Sequence, residues 1–157
     1  MKAIEHLRAL KLADTRAKYP SVPDIALPKI EYNPNSANGL TKCICDFLNL
    51  SGHQAERINT MGRMVDNRKT YTDVIGRTKT IGSAKYIPTT GTKGSADISA
   101  TIKGRSVKIE VKYGKDRQSQ DQKVYQEMIE RAGGVYLIAK NFDTFHAWYL
   151  EFIKEID

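Results

Sequence analysis

Asp97, Glu110 and Lys112 are residue types that could perform metal-assisted chemistry if the fold brings them together. Two carboxylates that lie close to each other repel, which raises the pKa of one of them unless a cation lies between them. Their hard oxygen ligands suit Mg²⁺ or Mn²⁺, and such an ion polarises a phosphoryl oxygen and helps to ionise bound water. A nearby ammonium offsets charge in the transition state or orients the water. This combination indicates hydrolysis of a phosphodiester.

A predicted β-hairpin positions these side chains. Side chains alternate faces along a strand, so Glu110 and Lys112 share one face, while Val107, Ile109 and Val111 share the other. The preceding run, residues 97–102, is rich in β-branched residues, and the Lys103-Gly104-Arg105 run supplies the turn. If Lys103 and Gly104 are the two turn residues, Asp97 lies opposite Glu110, with Cβ atoms within about 5.5 Å.

Four short motifs of the sequence resemble one known family. They are Gly94-Ser95-Ala96-Asp97-Ile98, Ile109-Glu110-Val111-Lys112, Ser119 with Gln122, and Ala132-Gly133-Gly134. Together they are similar to the VRR-NUC family of the PD-(D/E)XK nuclease superfamily, over roughly residues 38–140. The resemblance implies an α/β fold with a restriction-endonuclease-like core. Such a core has a central mixed β-sheet flanked by helices in the order αβββαβ, here with a C-terminal helix added.

The same resemblance implies an activity: hydrolysis of DNA by a Mg²⁺- or Mn²⁺-dependent endonuclease. Asp97, Glu110 and the Val111 carbonyl would bind the metal, and Lys112 would assist the nucleophile. Gln122 begins a segment like the family's Q-x-x-Y element and would lie near the metal water or a phosphate. Short stand-alone members are associated with phages and act as symmetric dimers on branched DNA such as four-way junctions. A homodimer that binds branched or duplex DNA is therefore expected.

One departure from the family concerns the third metal ligand. Many relatives carry an acidic ligand early in the first core helix, but between Asn38 and Leu50 this sequence has only Asp46, which lies off the apolar stripe. Glu56 is a candidate substitute, although a solvated surface position is the favoured interpretation.

The sequence also allows other interpretations. A charged strand face is usually just solvated, and Ser119 with Gln122 also fits a capping box at a helix start. A non-cleaving nucleic-acid-binding module is the competing function, and divalent-metal dependence separates the two. An RNA-directed nuclease would share every residue of the predicted site.

The charge distribution favours a polyanionic partner. The formal net charge is +7, and residues 53–117 hold 14 Lys and Arg against 6 Asp and Glu. Cationic residues neutralise phosphates and release counterions. The candidate nucleic-acid-binding residues are Arg57, Arg63, Lys85, Lys93, Lys115, Arg117 and Lys123.

The remaining segments predict how the chain is organised. Residues 1–37 are expected to form an amphipathic helix up to about residue 18 and a Pro-rich extended connector, and residues 38–157 the nuclease domain. Asn38 is a plausible N-cap for a helix that ends near Ser51-Gly52, and residues 60–93 predict a loop or a ribbon. A helix from Ser119, a buried strand over Val135–Ala139 beside the hairpin's second strand, and an amphipathic C-terminal helix complete the pattern.

Composition excludes several other classes of protein. The 157 residues with 40% hydrophobic content suit one compact domain. No run approaches the roughly 18 apolar residues of a membrane span, and the N-terminus lacks a signal-peptide core, so a soluble, cytoplasmic protein is expected. Cys43 and Cys45 lie on different helix faces and indicate reduced thiols rather than a zinc site. The three histidines lie in unrelated segments and indicate no catalytic or metal cluster.

Overall fold

The computed structural model describes residues 2–59, 62–88 and 91–156. Its contacts divide the chain into two compact units: the larger holds residues up to 58 and from 94 onward, and the smaller holds residues 59–93. The helices are α1 (Ala3–Lys18), α2 (Ala37–Leu50), α3 (Gln120–Arg131) and α4 (Phe142–Glu155), with a 3-10 turn at Asp24–Ala26. The strands are β1 (Gln54–Arg57), β2 (Arg63–Asp66), β3 (Lys69–Thr72), β4 (Thr78–Ile81), β5 (Ala84–Ile87), β6 (Ile98–Ile102), β7 (Arg105–Val111) and β8 (Val135–Ala139). None of the described helices is long and apolar enough to cross a bilayer.

The larger unit is built on a four-stranded mixed sheet with the strand order β1-β6-β7-β8. Strands β1 and β7 both run antiparallel to β6, whereas β8 runs parallel to β7. A parallel pair needs a crossover connection, which α3 provides. The predicted mixed sheet flanked by helices, with a further C-terminal helix, is confirmed.

Helix α2 supplies the centre of the hydrophobic core. Its predicted apolar stripe is fully buried: Leu40, Cys43, Ile44, Phe47 and Leu48. The same core takes up alternate residues of β7, namely Val107, Ile109 and Val111. Each fully buried Leu, Ile or Phe side chain contributes about 1.5–3 kcal/mol. Because the core holds one face of β7, Glu110 is fixed on the opposite face.

The start of α2 differs from the prediction in one residue that matters for the site. Ser36 is the N-cap, and its hydroxyl accepts a hydrogen bond from the Gly39 N–H at 3.0 Å. The prediction that Asn38 caps this helix is therefore wrong. Asn38 lies inside the first turn, where its side chain is available for another contact.

Helix α1 confirms the predicted N-terminal helix and packs against α2 and α4 through the fully buried Leu7. It also brings two histidines together, since His6 Nδ1 lies 2.8 Å from His146 Nε2 on α4. The two histidines lie in segments far apart in the sequence, so this contact was not predicted. The two rings lie edge-on to Phe47, within the aromatic part of the core.

Strand β8 lies beside β7 as predicted, but the prediction of a buried strand is wrong. Ala139 is its one buried residue, and Ile138 is 37% exposed. The apolar face predicted for α3 is similarly open, with Val124 and Met128 about half exposed. The physical reason is position: β8 pairs only with β7 among the described strands, so it forms an edge of the sheet.

The smaller unit resolves the choice between a loop and a ribbon. Strand β2 pairs with β5, and β3 pairs with β4, both antiparallel, which makes a two-stranded ribbon in two sections. Gly82, with φ +104°, lies between the sections, and a Cβ there would lie 2.4 Å from the Asn67 carbonyl oxygen. Between residues 62 and 88 no side chain is buried. The ribbon therefore has no hydrophobic core of its own.

Candidate active site

The β6–β7 hairpin adopts the predicted turn and register. Lys103 and Gly104 both have positive φ, 45° and 79°, as a two-residue type I′ turn requires. Ile102 pairs with Arg105, and Ile98 pairs with Ile109. Continued by one residue, this register places Asp97 opposite Glu110, and both residues line one cleft. The hairpin prediction is confirmed in its turn and its pairing.

Asp97 is held at the mouth of the hairpin by both neighbouring strands. Its Oδ2 accepts the Val111 N–H at 2.9 Å, and its carbonyl oxygen accepts the Ile58 N–H at 2.7 Å. Gly94, with φ +76°, lets the preceding chain pass close to the start of α3, because a Cβ there would lie 2.4 Å from the Asp121 backbone. The carboxylate of Asp97 therefore has a fixed position at the end of β7.

Glu110 is a buried carboxylate with one satisfied oxygen. The residue is 2% exposed; its Oε1 accepts a hydrogen bond from Gln122 Nε2 at 2.5 Å and lies 3.0 Å from Lys112 Nζ. Its Oε2 is buried with no hydrogen-bond partner among the described residues. Burial, and next the nearby charge of Asp97, raise the pKa of Glu110, although Lys112 opposes the shift.

Lys112 is a buried cation between two acids. It is 7% exposed, and its Nζ lies 3.0 Å from Glu110 Oε1 and 3.4 Å from Asp116 Oδ2. Burial by itself lowers the pKa of Lys112, but the interactions with Glu110 and Asp116 outweigh burial and the net direction is upward. The interpretation of Glu110 and Lys112 as a solvated strand face is wrong, because both side chains are buried.

Gln122 forms the predicted capping box and also contacts Glu110. In the capping box of α3, its Oε1 accepts the Ser119 N–H at 2.8 Å, and its own N–H donates to Ser119 Oγ at 3.3 Å. The capping contact orients the amide, so its Nε2 points at Glu110 Oε1. The helix cap thereby aims a donor into the cleft.

The first turn of α2 lines the same cleft with residues that belong to none of the predicted site motifs. Asn38 Oδ1 accepts a hydrogen bond from Arg57 Nη2 at 2.8 Å, and Thr41 is 4% exposed. The two residues are three positions apart, a spacing that places them on one helix face and could have indicated a shared role. They lie in the first turn of α2, where the resemblance implied an acidic metal ligand. Glu56 is exposed, and it is not among the described residues that line the cleft.

The structure gathers most of the predicted site into a cleft of about 280 Å³. Its lining is Ala37, Asn38, Thr41, Arg57, Asp97, Glu110, Val111, Lys112, Asp116 and Gln122. Of the candidate nucleic-acid-binding residues, Arg57 belongs to it. Lys115, Arg117 and Lys123 are exposed elsewhere on the larger unit, and Arg63, Lys85 and Lys93 belong to the smaller one.

The donor set of the cleft fits a hard divalent cation. Glu110 Oε2 is a buried carboxylate oxygen without a hydrogen-bond partner in the part of the chain that the structure describes, and a cation would satisfy it. The described residues hold no group of three or more His, Cys, Asp or Glu placed to bind a metal. Mg²⁺ needs no such group, since it is commonly held by one or two carboxylates and keeps several waters. Asp97, Glu110 and the Val111 carbonyl are the groups that could hold it.

The cleft thus combines two fixed carboxylates, a buried ammonium, an oriented amide and an arginine. This set can bind a cation and a phosphate next to each other. Comparisons with models of known protein families and with curated proteins find no match to this chain.

Proposed function

We propose that this protein is a Mg²⁺- or Mn²⁺-dependent endonuclease of the VRR-NUC type, with a restriction-endonuclease-like core, which hydrolyses phosphodiester bonds of branched DNA. The observation that carries the proposal is the buried pair of Glu110 and Lys112 beside Asp97. Burying two charges is expensive, and apolar residues would stabilise a sheet at least as well. A buried ion pair that opens onto a cleft and leaves one oxygen unsatisfied is better explained by chemistry than by stability.

The carboxylates and the backbone share one task. Asp97, Glu110 and the Val111 carbonyl would hold the divalent ion, which supplies Lewis-acid polarisation of the phosphoryl oxygen when bound. The Val111 N–H fixes Asp97, and Gln122 Nε2 fixes Glu110, so both ligands are oriented before any ion arrives. Preorganised ligands of this kind avoid rearrangement during the reaction.

Lys112 is the group that would act on the reacting atoms. An ammonium has three N–H donors, and the contacts with Glu110 and Asp116 use two of them. A third donor would offset the charge that develops on the attacked phosphate or orient the attacking water. Arg57, held by Asn38 at the edge of the cleft, would bind a neighbouring phosphate.

The protein is proposed to act as a homodimer in the cytoplasm. One small domain with one cleft makes one cut, whereas a two-fold symmetric four-way junction offers two equivalent strands, so a homodimer matches the substrate. The exposed cations Lys115, Arg117 and Lys123 would contact the DNA backbone around the cleft.

The experiment that tests this function is cleavage by the purified protein, beside Asp97→Asn and Glu56→Gln. The substrates are a four-way junction, a linear duplex and a single strand, each with Mg²⁺, Mn²⁺ or EDTA. We expect metal-dependent cutting of the junction, loss of cutting in Asp97→Asn with DNA binding retained, and normal cutting in Glu56→Gln, whose carboxylate lies outside the cleft. Equal activity in Asp97→Asn would exclude this site, and binding without cleavage would favour the non-cleaving module.

A thermal-unfolding series provides a readout that is independent of cleavage. An ion that binds only the folded state stabilises it, by about 2.7 kcal/mol at a concentration 100 times its Kd. Mg²⁺ should therefore raise the Tm of the wild-type protein and leave the Tm of Asp97→Asn unchanged. The same increase in both proteins would place the ion elsewhere.

A further inference from the structure

The tip of the ribbon presents two apolar side chains to solvent. Strands β3 and β4 are joined by residues 73–77, where Val74 is fully exposed and Ile75 is 69% exposed. Turns are dominated by Gly, Asn, Asp, Ser and Pro, and β-branched apolar residues have no local reason to be there. Because turn formation does not explain Val74 and Ile75 at this position, we look for a function of their exposed side chains.

The turn that carries these side chains is well ordered by its own hydrogen bonds. Asp73 Oδ1 accepts the N–H groups of Ile75 at 3.0 Å and Arg77 at 2.8 Å, and the Asp73 N–H donates to the Arg77 carbonyl at 2.9 Å. Gly76 takes the left-handed conformation, φ +77°, that closes such a loop. Val74 and Ile75 are therefore displayed on a defined support.

The paired strands of the ribbon, β2 with β5 and β3 with β4, are called the shaft. The shaft has the charge and the dimensions to bind along a nucleic acid. Residues 62–88 hold six Lys and Arg against two Asp, and both acids are engaged, Asp66 by Arg68 and Asp73 within the turn. The register puts Tyr71 opposite Lys79 on one face of the outer section, while its other face is formed by paired threonines. A two-stranded ribbon fits a DNA groove. Ten fully extended residues, the number from Arg63 to Thr72, span at most roughly 33 Å, which is about one turn of a duplex.

We infer that Val74 and Ile75 form an apolar wedge that inserts between bases where DNA is already unstacked, so that the ribbon selects branched over continuous duplex. Proteins that bend DNA insert apolar side chains between base steps and must supply the free energy of unstacking. At a branch point part of that stacking is already lost, so the wedge favours the branch. The inference rests on the proposed function, in that the substrate is DNA, and it names what distinguishes that substrate.

The test measures binding in EDTA, where no cleavage occurs. The wild-type protein and the double variant V74S/I75S are titrated with a four-way junction and with a linear duplex of the same sequence. We expect the wild-type preference for the junction to fall by about tenfold in the variant, which corresponds to about 1.4 kcal/mol, with little change on the duplex. A fluorescent adenine analogue placed at the branch should brighten on wild-type binding, as its stacking is lost, and should not brighten with the variant.

Two control proteins separate a wedge from a general loss of apolar surface. Ile25→Ser removes an isoleucine that is 98% exposed on the larger unit, and this variant should bind DNA like the wild type. The exchange V74I/I75V keeps the tip apolar and should keep the preference. An unchanged salt dependence of duplex binding in V74S/I75S shows that the shaft still engages DNA.

The outcomes distinguish the wedge from the hydrolytic function. An unchanged junction preference in V74S/I75S, or an equal loss on junction and duplex, would overturn the wedge even if the protein cuts DNA. A preference that depends on the tip in a protein that cuts nothing supports the wedge and excludes the nuclease. Tighter binding of an RNA junction than of the DNA junction would overturn the assignment of DNA.

Discussion

The cleft and the ribbon handle charged residues in opposite ways. In the cleft, Glu110 and Lys112 are 2% and 7% exposed and form one ion pair with defined hydrogen-bond partners. In the ribbon, every charged residue between 62 and 88 is exposed, including the pair of Asp66 and Arg68. A buried pair fixes geometry at a cost in desolvation, whereas exposed charges leave geometry loose and are screened by salt. The buried pair of the cleft suits catalysis, and the exposed charges of the ribbon suit binding to a polyanion.

The two regions also differ in what holds them together. The cleft is built on a sheet whose other face packs against the core residues of α2. The packing of the whole larger unit therefore holds the side chains of the cleft in place. A two-stranded ribbon without a hydrophobic face is only marginally stable in water. Changes in the cleft should therefore alter stability and turnover, and changes in the ribbon should alter affinity alone.

The largest effect is expected from Lys112→Ala. Removing the ammonium leaves Glu110 as an unpaired buried charge, which should destabilise the protein by about 3–5 kcal/mol in denaturant unfolding. Turnover should fall by about 10²–10³-fold while DNA affinity changes little, since the charge acts on the transition state. Arg105→Ala, at the exposed start of β7, is the matched control and should change neither stability nor turnover. A loss confined to affinity would reassign Lys112 to backbone positioning.

A smaller effect on stability is expected from lowering the pH. Burial, and next the neighbouring His6, lower the pKa of His146 below its ordinary value of 6.5, and burial likewise lowers the pKa of His53. A histidine whose pKa is lowered by folding binds more protons in the unfolded protein than in the folded protein. Its contribution to the free energy of unfolding is therefore complete above pH 6.5 and is lost as the pH falls from 6.5 toward the lowered pKa.

The measurement is the Tm of wild type and His146→Asn between about pH 8 and pH 5, where the two pKa shifts act. The wild-type Tm should fall with acid, and the variant should show a shallower slope because His53 remains. Equal slopes of Tm against pH in the two proteins would mean that burial between α1 and α4 does not lower the pKa of His146. The ribbon holds no histidine, so its salt-dependent DNA binding provides the contrasting reference.

The hairpin, the α2 stripe and the α3 cap could be predicted because each is encoded within a short stretch. The positive-φ turn at Lys103 and Gly104 sets the register, and alternation then decides which face Glu110 occupies. The contact of Asn38 with Arg57 could not be predicted, because tertiary packing of α2 against β1 brings the two residues together. The contact of His6 with His146, 140 positions apart, has no local signal at all.

The exposure of β8 was missed for a related reason. An apolar run such as Val135–Ala139 shows that a strand forms, but burial depends on how many neighbours the sheet supplies. In the same way, the capping box predicted where α3 begins, while the contact of Gln122 with Glu110 depends on how α3 packs beside the hairpin. Sequence patterns thus predicted the parts of the site better than their contacts.

A modest effect is expected from neutralising the cations of the smaller unit. The triple variant of Arg63, Lys85 and Lys93 to Gln should flatten the dependence of log affinity on log salt by about 0.9 for each phosphate that the protein no longer neutralises. Arg63 and Lys85 lie on the same face of the β2–β5 section, so a single DNA backbone could contact both. Turnover at saturating DNA should stay at the wild-type level, because none of the three lines the cleft. An unchanged slope would place the DNA on another surface.

The smallest effect, and the sharpest contrast with Lys112→Ala, is expected from Asp66→Asn. The hydrogen bond from the Arg68 guanidinium is the main cause that lowers the pKa of Asp66, yet both side chains are about half exposed, and such pairs contribute little. Asn keeps one acceptor oxygen for the backbone N–H of Arg68, which Asp66 Oδ1 binds at 3.0 Å. The charge is removed, and so is Oδ2, which accepts the hydrogen bond from the Arg68 guanidinium at 2.7 Å. The Tm should not change, and DNA affinity should rise slightly, with a steeper salt slope, because Arg68 is released to contact phosphate. Weaker DNA binding in this variant would show instead that the exposed pair holds the ribbon in its binding shape, and the distinction between buried and exposed charge would then fail.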